Sequence, residues 1–334
     1  MRVRAGVAID LGTVNTLVYV AGRGIVVEEP TAIALDRATG SVASVGQAAD
    51  ALAGKDPQDV EVIHPLRDGV IADLDASSAM LQAFVRRARL HRRALLRPSA
   101  VICVPGGATW VERRSLTAAV EAVRPRCVVQ LVDEPVAAAA GAGFDLAAGS
   151  GAFIVDVGGG TTEAAVVAGG HVVRAHSLRT GGNTMDDVIV RAVKAELGLL
   201  IGRNAARSLK MTLVLAESAA DWVETVGVDA ARRTPRVADV PGRLVADALE
   251  PTVVAIVDSV QEMLSDIPPN LAEDVVRGKI RLAGGGALLP GLASRIEVAT
   301  GIPAVVVDDP LRCVVRGAAE ILEHGDWLAA MRAG

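Results

Sequence analysis

The segment Asp156-Val157-Gly158-Gly159-Gly160-Thr161-Thr162-Glu163 is entered from the apolar run Ala152-Phe153-Ile154-Val155 and left through Ala164-Ala165-Val166-Val167. It spells strand, tight glycine turn, strand. Three glycines in a row remove every Cβ, so consecutive backbone N–H groups can converge on an anion, and two threonine hydroxyls add donors. Phosphate is the guest that suits such a turn. Asp156, at the end of the entering strand, suits a metal ion better than a bare phosphate, because Mg²⁺ is usually held by one or two carboxylates together with waters and nucleotide oxygens. A plain hairpin is the simpler reading, but it needs only one or two glycines.

The same pattern recurs near the start of the chain. Val7-Ala8-Ile9-Asp10-Leu11-Gly12-Thr13-Val14-Asn15-Thr16-Leu17-Val18-Tyr19-Val20 is again an apolar strand, an Asp, a Gly/Thr turn and an apolar strand, and Asp10 precedes Asp156 by 146 residues. Two similar lobes, each offering a phosphate hairpin with an aspartate, imply a nucleotide pinched between them with one metal ion shared.

Composition supports two lobes. The 334 residues suffice for two cores. Hydrophobic residues make up 51% and aromatics only 2%, so Val, Leu, Ile and Ala must fill those cores, as suits α/β layers. Thirty-four Lys+Arg against 39 Asp+Glu give a net charge of −5, which argues against nucleic acid as a partner. Cys103, Cys127 and Cys313 show no zinc spacing and no even-numbered disulfide framework, so they are expected to be reduced core residues. No apolar run has the length of a membrane span and no signal-peptide core precedes Asp10, so a cytoplasmic location is expected.

Between the hairpins, residues 24–29 and 31–35 read as short strands, followed by a polar stretch through Asp59 that reads as a small insertion. Helices are expected at 76–89 and 110–123, and strands at 100–105 and 128–134. Glu134 stands where the last of these strands meets Pro135 and four alanines, a strong helix start. Its carboxylate either orients a water facing the phosphates or caps the helix. In the second half, strands are expected at 172–178, 279–283 and 304–307, and helices at 186–197, 205–220, 249–264, 288–300 and 311–323, with 232–241 irregular. Lys210 is either an ammonium turned to a nucleotide or a solvated surface lysine. Gly284-Gly285-Gly286, at a strand's carboxyl end just before a helix, fits either a base- or ribose-binding loop or a crowded strand–helix turn.

Taken together, these motifs resemble the actin-like ATPases, and within them the MreB/Mbl family, over essentially the whole chain. The resemblance is carried by Asp10-Leu-Gly-Thr-Val-Asn-Thr16, Pro65-Leu-Arg-Asp-Gly-Val-Ile-Ala-Asp73, Val101-Ile-Cys-Val-Pro105 with Val111-Glu-Arg-Arg114, and Glu134-Pro-Val-Ala-Ala-Ala139. Asp156-Val-Gly-Gly-Gly-Thr-Thr-Glu163, Leu199-Leu-Ile-Gly202, Gly284-Gly-Gly-Ala-Leu-Leu289 and Thr300-Gly-Ile-Pro303 complete it. Sugar kinases and 70-kDa heat-shock chaperones share the phosphate motifs; the segments 65–73 and 199–202 point to MreB/Mbl.

The resemblance implies an α/β actin-like fold: two ribonuclease-H-like lobes with nucleotide in the cleft, each with a small subdomain. Subdomain IA would take residues 1–31, 64–140 and 308–334, IB 32–63, IIA 141–179 and 242–307, and IIB 180–241. ATP and Mg²⁺ are the implied cofactors. Gly12, Thr13, Val14 and Asn15 would hold phosphates from one lobe and Gly158, Gly159, Gly160 and Thr161 from the other. Asp10 and Asp156 would hold Mg²⁺ largely through water, Glu134 and Thr162 would position the attacking water, and Gly181, Gly182, Lys210, Gly284, Gly285 and Gly286 would line the nucleoside. Phosphoryl transfer needs mostly positioning and charge stabilisation, which this set supplies without a covalent nucleophile. The family pattern has Asp at Asn183, Glu at Arg203 and Gly-Ser at Val214-Leu215; the last two departures fall around the adenosine, where base affinity or specificity would change.

Residues 86–97 hold a dense group of arginines with Leu95 and Leu96. Alone they read as a solvated helix end or as a membrane contact, with the leucines inserting while arginines meet anionic headgroups. The resemblance favours a membrane loop of Arg92, Arg93, Leu95 and Leu96. It further implies a slow ATPase in head-to-tail, paired protofilaments on the inner face of the cytoplasmic membrane, working with the cell-wall elongation machinery to set cell shape. A small-molecule kinase of the same superfamily and a nucleotide-binding scaffold with little hydrolysis are the alternatives.

Overall fold

The computed structural model describes residues 6–55, 58–88, 98–106, 108–215 and 222–324. Its two largest sheets have five strands each and follow one plan. In the first, the hairpin of Gly6–Leu11 and Asn15–Val20 is extended on one side by antiparallel Gly24–Pro30 and on the other by parallel Ser99–Val104 and Val128–Asp133. In the second, the hairpin of Ala152–Val157 and Thr162–Ala168 is extended by antiparallel His171–Leu178 and by parallel Ile280–Ala283 and Ala304–Val306. The repeat visible in the sequence is thus a repeat of topology. The entering strand is central in each sheet and covered on both faces, which is why it reads as an unbroken apolar run: Val7, Ala8, Ile9, Phe153, Ile154 and Val155 are all 0% exposed. Each such Val, Ile or Phe contributes about 1.5–3 kcal/mol by leaving water.

Helices Glu134–Gly141 and Cys313–His324 cross between the two sheets and join them through a shared apolar cluster. A Cβ on Gly317 would come 1.8 Å from the Ala137 carbonyl oxygen, and one on Gly141 would come 2.0 Å from that of Cys313. Glycine on both sides lets the backbones touch, so a chain this poor in aromatics still closes its core.

Each lobe also carries a three-stranded sheet. Ile33–Asp36, Val42–Val45 and Val60–Ile63 are inserted after Gly24–Pro30, whereas Leu199–Leu200, Trp222–Asp229 and Pro235–Pro241 follow His171–Leu178 in the chain. The second of these sheets corrects the expectation of an irregular 232–241. Pro235 and Pro241 sit at the ends of an edge strand, paired with Val228 and Trp222, where a missing N–H costs no interior ladder bond. Helix Trp110–Val123 lies where expected and starts at a capping box of Thr109 and Glu112. Helix Leu74–Arg87 begins earlier than expected because Asp73 caps it, accepting from the Ala76 amide at 2.9 Å. Helix Gly242–Ser265 likewise starts well before residue 249 and continues through Pro251. The helix expected at 288–300 is divided into a 3₁₀ turn, Gly285–Leu288, and Leu292–Thr300, with Pro290-Gly291 between them and Gly291 at φ 76°. The residues assigned to membrane contact, Arg92, Arg93, Leu95 and Leu96, lie outside the described residues, as do the side chains of Val214 and Leu215.

Candidate functional site

A cavity of about 450 Å³ lies between the two lobes, and both hairpins open onto it. Its floor is made where each entering strand ends. Asp10 and Asp156 are the next-to-last residues of the entering strands, and in both hairpins a glycine amide closes the loop: Gly12 N donates to Asn15 O at 3.1 Å and Gly158 N to Thr161 O at 2.8 Å. The tips of the hairpins meet. A Cβ on Gly159 would stand 2.1 Å from Val14 Cγ2, and one on Gly160 would stand 2.8 Å from both Thr13 Oγ1 and Asp68 Cα. Beneath them the Asp68-Gly69 turn is fastened by Gly69 N donating to Thr13 Oγ1 at 3.1 Å.

Gly12, Thr13, Val14, Asn15, Gly158, Gly159, Thr161, Gly182, Lys210, Gly284, Gly285 and Gly286 all line the cavity, together with Asp10, Asp156 and Glu134. Three expected residues do not. Gly160 packs against the first lobe, and Gly181 is pressed behind the second hairpin, where a Cβ would meet Gly158 O at 2.6 Å. Thr162 is 0% exposed, and its hydroxyl donates to Thr180 O at 2.8 Å. Successive residues of a strand face opposite sides, so with Thr162 inward it is Glu163 that faces the cavity, directly across from Asp156.

Four carboxyl groups therefore share one enclosure. Burial, then the Asp156 charge, pushes Asp10 up to about 7; burial takes Asp156 to about 6; burial and then Asp156 take Glu163 to about 7, against a lowering hydrogen bond from Gly106. Glu134 is held well above the usual carboxylate range, first by burial and then by Glu163, Asp10 and Asp156. It does not act as a helix cap: the helix Glu134–Gly141 takes Asp133 at its N-cap, and Asp133 turns away to Arg113 at 2.6 Å. A buried cluster of carboxyl oxygens suits a divalent cation, whose charge would offset their burial and mutual repulsion. Asp156 Oδ1 is buried without a hydrogen-bond partner, which also fits a divalent cation. Among the described residues no three His, Cys, Asp or Glu side chains converge as direct ligands, so a Mg²⁺ ion here would complete its shell from water and phosphate oxygens.

At the far end the cavity is bounded by helices Gly182–Leu197 and Arg203–Leu215. Asp186 is buried, forms an ion pair with Lys210 Nζ at 2.7 Å and accepts from Arg207 Nε at 3.4 Å, while Lys210 Nζ donates to Gly182 O at 2.9 Å. Lys210 is thus a clamped wall residue, not a solvated one. Asn183 lines the cavity too, but Arg203 does not: it turns outward to pair with Asp187 at 2.7 and 2.8 Å. The helix side facing the cavity is that of Arg207, one turn on. Glu163, Asp186 and Arg207 were missed in the sequence because nothing local marks which polar neighbour faces inward. The third glycine turn does reach the site, with Gly284 at φ 78° and its Cα so close that a Cβ would meet Asp156 Oδ1 at 2.3 Å.

A family model described as MreB/Mbl protein matches residues 4–330. The chain belongs to the MreB/Mbl family. Cell shape-determining protein MreB of Escherichia coli (strain K12) is 40% identical over 327 residues, covering 96% of this chain and 93% of that protein. Among solved structures, MreB5 of Spiroplasma citri is 29% identical and superposes with a TM-score of 0.89 in its ADP-bound form, covering 99% of each chain; an AMPPNP-bound form also matches, with a TM-score of 0.87. The MamK double helical filament, 24% identical with a TM-score of 0.78 over 96% of this chain and 99% of that one, shares the fold. The fold is actin-like, and this MreB/Mbl chain stands with cytoskeletal relatives, not with small-molecule kinases.

Proposed function

We propose that this chain is an actin-like ATPase that binds Mg-ATP between its two hairpins, hydrolyses it slowly, and assembles head to tail into filaments on the cytoplasmic membrane that organise cell-wall synthesis and cell shape. The observation that carries the nucleotide reading is the meeting of two equivalent phosphate hairpins across one cavity floored by four buried carboxyl groups. The ADP- and AMPPNP-bound forms of MreB5 support it.

The hairpin turns 12–15 and 158–161, through the backbone amides not already closing the loops and the hydroxyls of Thr13 and Thr161, hold the phosphates; Asp10 and Asp156 would hold Mg²⁺ through water. When bound, the cation neutralises charge on the phosphate oxygens and on the carboxylates around it. Glu134 and Thr161 orient the attacking water, Thr161 taking the part the resemblance gives to Thr162, since Thr161 lines the cavity and Thr162 is buried behind it. Glu134 accepts the water's proton, and a carboxyl with a raised pKa is better matched to that task near neutral pH than an ordinary one. Lys210, Arg207 and Gly284 to Gly286 border the nucleoside. Attachment to the membrane is peripheral in this reading and rests on Arg92, Arg93, Leu95 and Leu96, strengthened by avidity along a filament.

The test is phosphate release from Mg-ATP, followed beside electron microscopy of the same sample on anionic liposomes. Removing a positioned base costs about 10²–10⁴-fold, so Glu134→Gln should bring release near background while nucleotide still binds. Filaments absent under every nucleotide would sink the assembly reading. Replacing Arg92, Arg93, Leu95 and Leu96 by serine should free the filaments from liposomes without preventing their growth.

A further inference from the structure

The two hairpins share more than their turns. Counting from each aspartate, Thr16 and Thr162 hold the same place, six residues on, and both are 0% exposed. Each gives its hydroxyl to the segment that leads from a large sheet toward the small one in its own lobe. Thr16 Oγ1 lies 2.9 Å from Thr31 Oγ1, and Thr31 connects Gly24–Pro30 to Ile33–Asp36. Thr162 Oγ1 donates to Thr180 O at 2.8 Å, and Thr180 connects His171–Leu178 to helix Gly182–Leu197.

The carbonyls of the turns are taken in parallel. Gly12 O accepts from Thr31 Oγ1 at 2.6 Å and Val14 O from Thr31 N at 2.8 Å. On the other side Gly158 O accepts from Gly182 N at 2.9 Å and Gly159 O from Asn183 N at 2.8 Å. In each lobe, then, the turn lines the cavity while two of its carbonyls and the following threonine are bonded to a connector. The first connector reaches further: Thr31 O lies 3.3 Å from His64 Nδ1, on the strand return from the small sheet.

We infer that Thr16 with Thr31, and Thr162 with Thr180, are matched positioning pairs that couple each phosphate hairpin to the small subdomain of its own lobe. A phosphate drawn onto the turn amides shifts the turn, and the buried bonds behind it carry that shift into the connector. Side chains and rigid elements with few alternative arrangements transmit such displacements. Each pair serves one lobe only, so the coupling divides in two. This inference rests on nucleotide binding at the cavity, and its test keeps the two apart.

The experiment is amide hydrogen exchange of the full chain with and without Mg-ATP, in wild type, Thr16→Val and Thr162→Val, beside direct binding of a fluorescent ATP analogue. Wild type should gain protection in both 33–63 and 183–241. Thr16→Val should lose about three- to tenfold of the gain in 33–63 alone, and Thr162→Val the same in 183–241 alone, the size one buried hydrogen bond supports. Thr16→Ser and Thr162→Ser, which keep the hydroxyl, should restore it. If a valine variant does not fold, the alanine and serine variants at that position differ only in the hydroxyl and give the same comparison. A wild type that binds and gains protection while the variants keep it in both regions, or lose it equally in both, overturns the inference alone. A wild type that binds no analogue overturns the site reading and this inference together.

Discussion

Adding one methyl group at Gly159 tests whether the hairpins meet as described. No left-handed φ marks this residue, so alanine is admissible to its backbone and the effect is steric. The new Cβ would lie 2.1 Å from Val14 Cγ2 and 3.0 Å from Val14 Cβ, where ordinary contact is about 3.5–4.0 Å. One hairpin must retreat from the other by more than an ångström, or Val14 must leave its place in the opposite lobe. Overpacking of this kind costs about 1–3 kcal/mol. If closure of the two tips is what gathers the phosphate amides, that cost falls on binding, and Kd for Mg-ATP should rise about 5- to 150-fold. Val14→Ala removes the Cγ2 atom that is struck. In the double variant Gly159→Ala/Val14→Ala most of the loss should return, leaving a coupling of about 1–2 kcal/mol between positions in different lobes. The assay is titration calorimetry on the four proteins of the cycle, with thermal melts to check folding. Additive effects at the two positions, or a Gly159→Ala protein that binds as wild type, would refute the contact.

Other consequences follow from charge. Lys210→Met leaves the buried Asp186 with Arg207 alone at 3.4 Å; urea unfolding should show a loss of about 3–5 kcal/mol, and Lys210→Met/Asp186→Leu a smaller one. Asp10, Asp156 and Glu163 titrate above their unfolded values, so the stability they bring is present below the unfolded carboxylate range and is lost as pH rises through about 6 and about 7. Melts in chelator should therefore show Tm falling from about pH 5 to about pH 8, with Glu163→Gln flattening the fall and Mg-ATP abolishing it; a Tm that climbs across that range would contradict the acid cluster. Thr161→Val should slow phosphate release more than it weakens nucleotide binding, whereas Thr162→Val should act first on exchange in 183–241.

The parts of the fold that were legible in advance are those whose signal is local. An apolar run, an acid and a glycine turn need only a few neighbouring residues to declare a strand and its hairpin, and both hairpins are found where their composition places them. The hairpin of Trp222–Asp229 and Pro235–Pro241 was not legible, because its prolines read as breaks unless one knows that the strand is an edge. Arg203 and Arg207 carry the same charge on one helix, and only packing shows which of them borders the cavity.

By itself the sequence determines that two lobes carry the same glycine-turn hairpin, that each has an aspartate near the end of its entering strand, and that a carboxylate stands at the start of a helix between them. Local geometry suffices for that, since turn amides and strand ends are set by residues near in the chain. The tertiary structure decides which members of the motif do what. Thr161, Thr162 and Glu163 are three polar residues in a row, and a shift of one position exchanges core for cavity. Pairing with Asp156 places Glu163 at the cleft and turns Thr162 inward to Thr180, a choice made by sheet register and by the neighbours on each face.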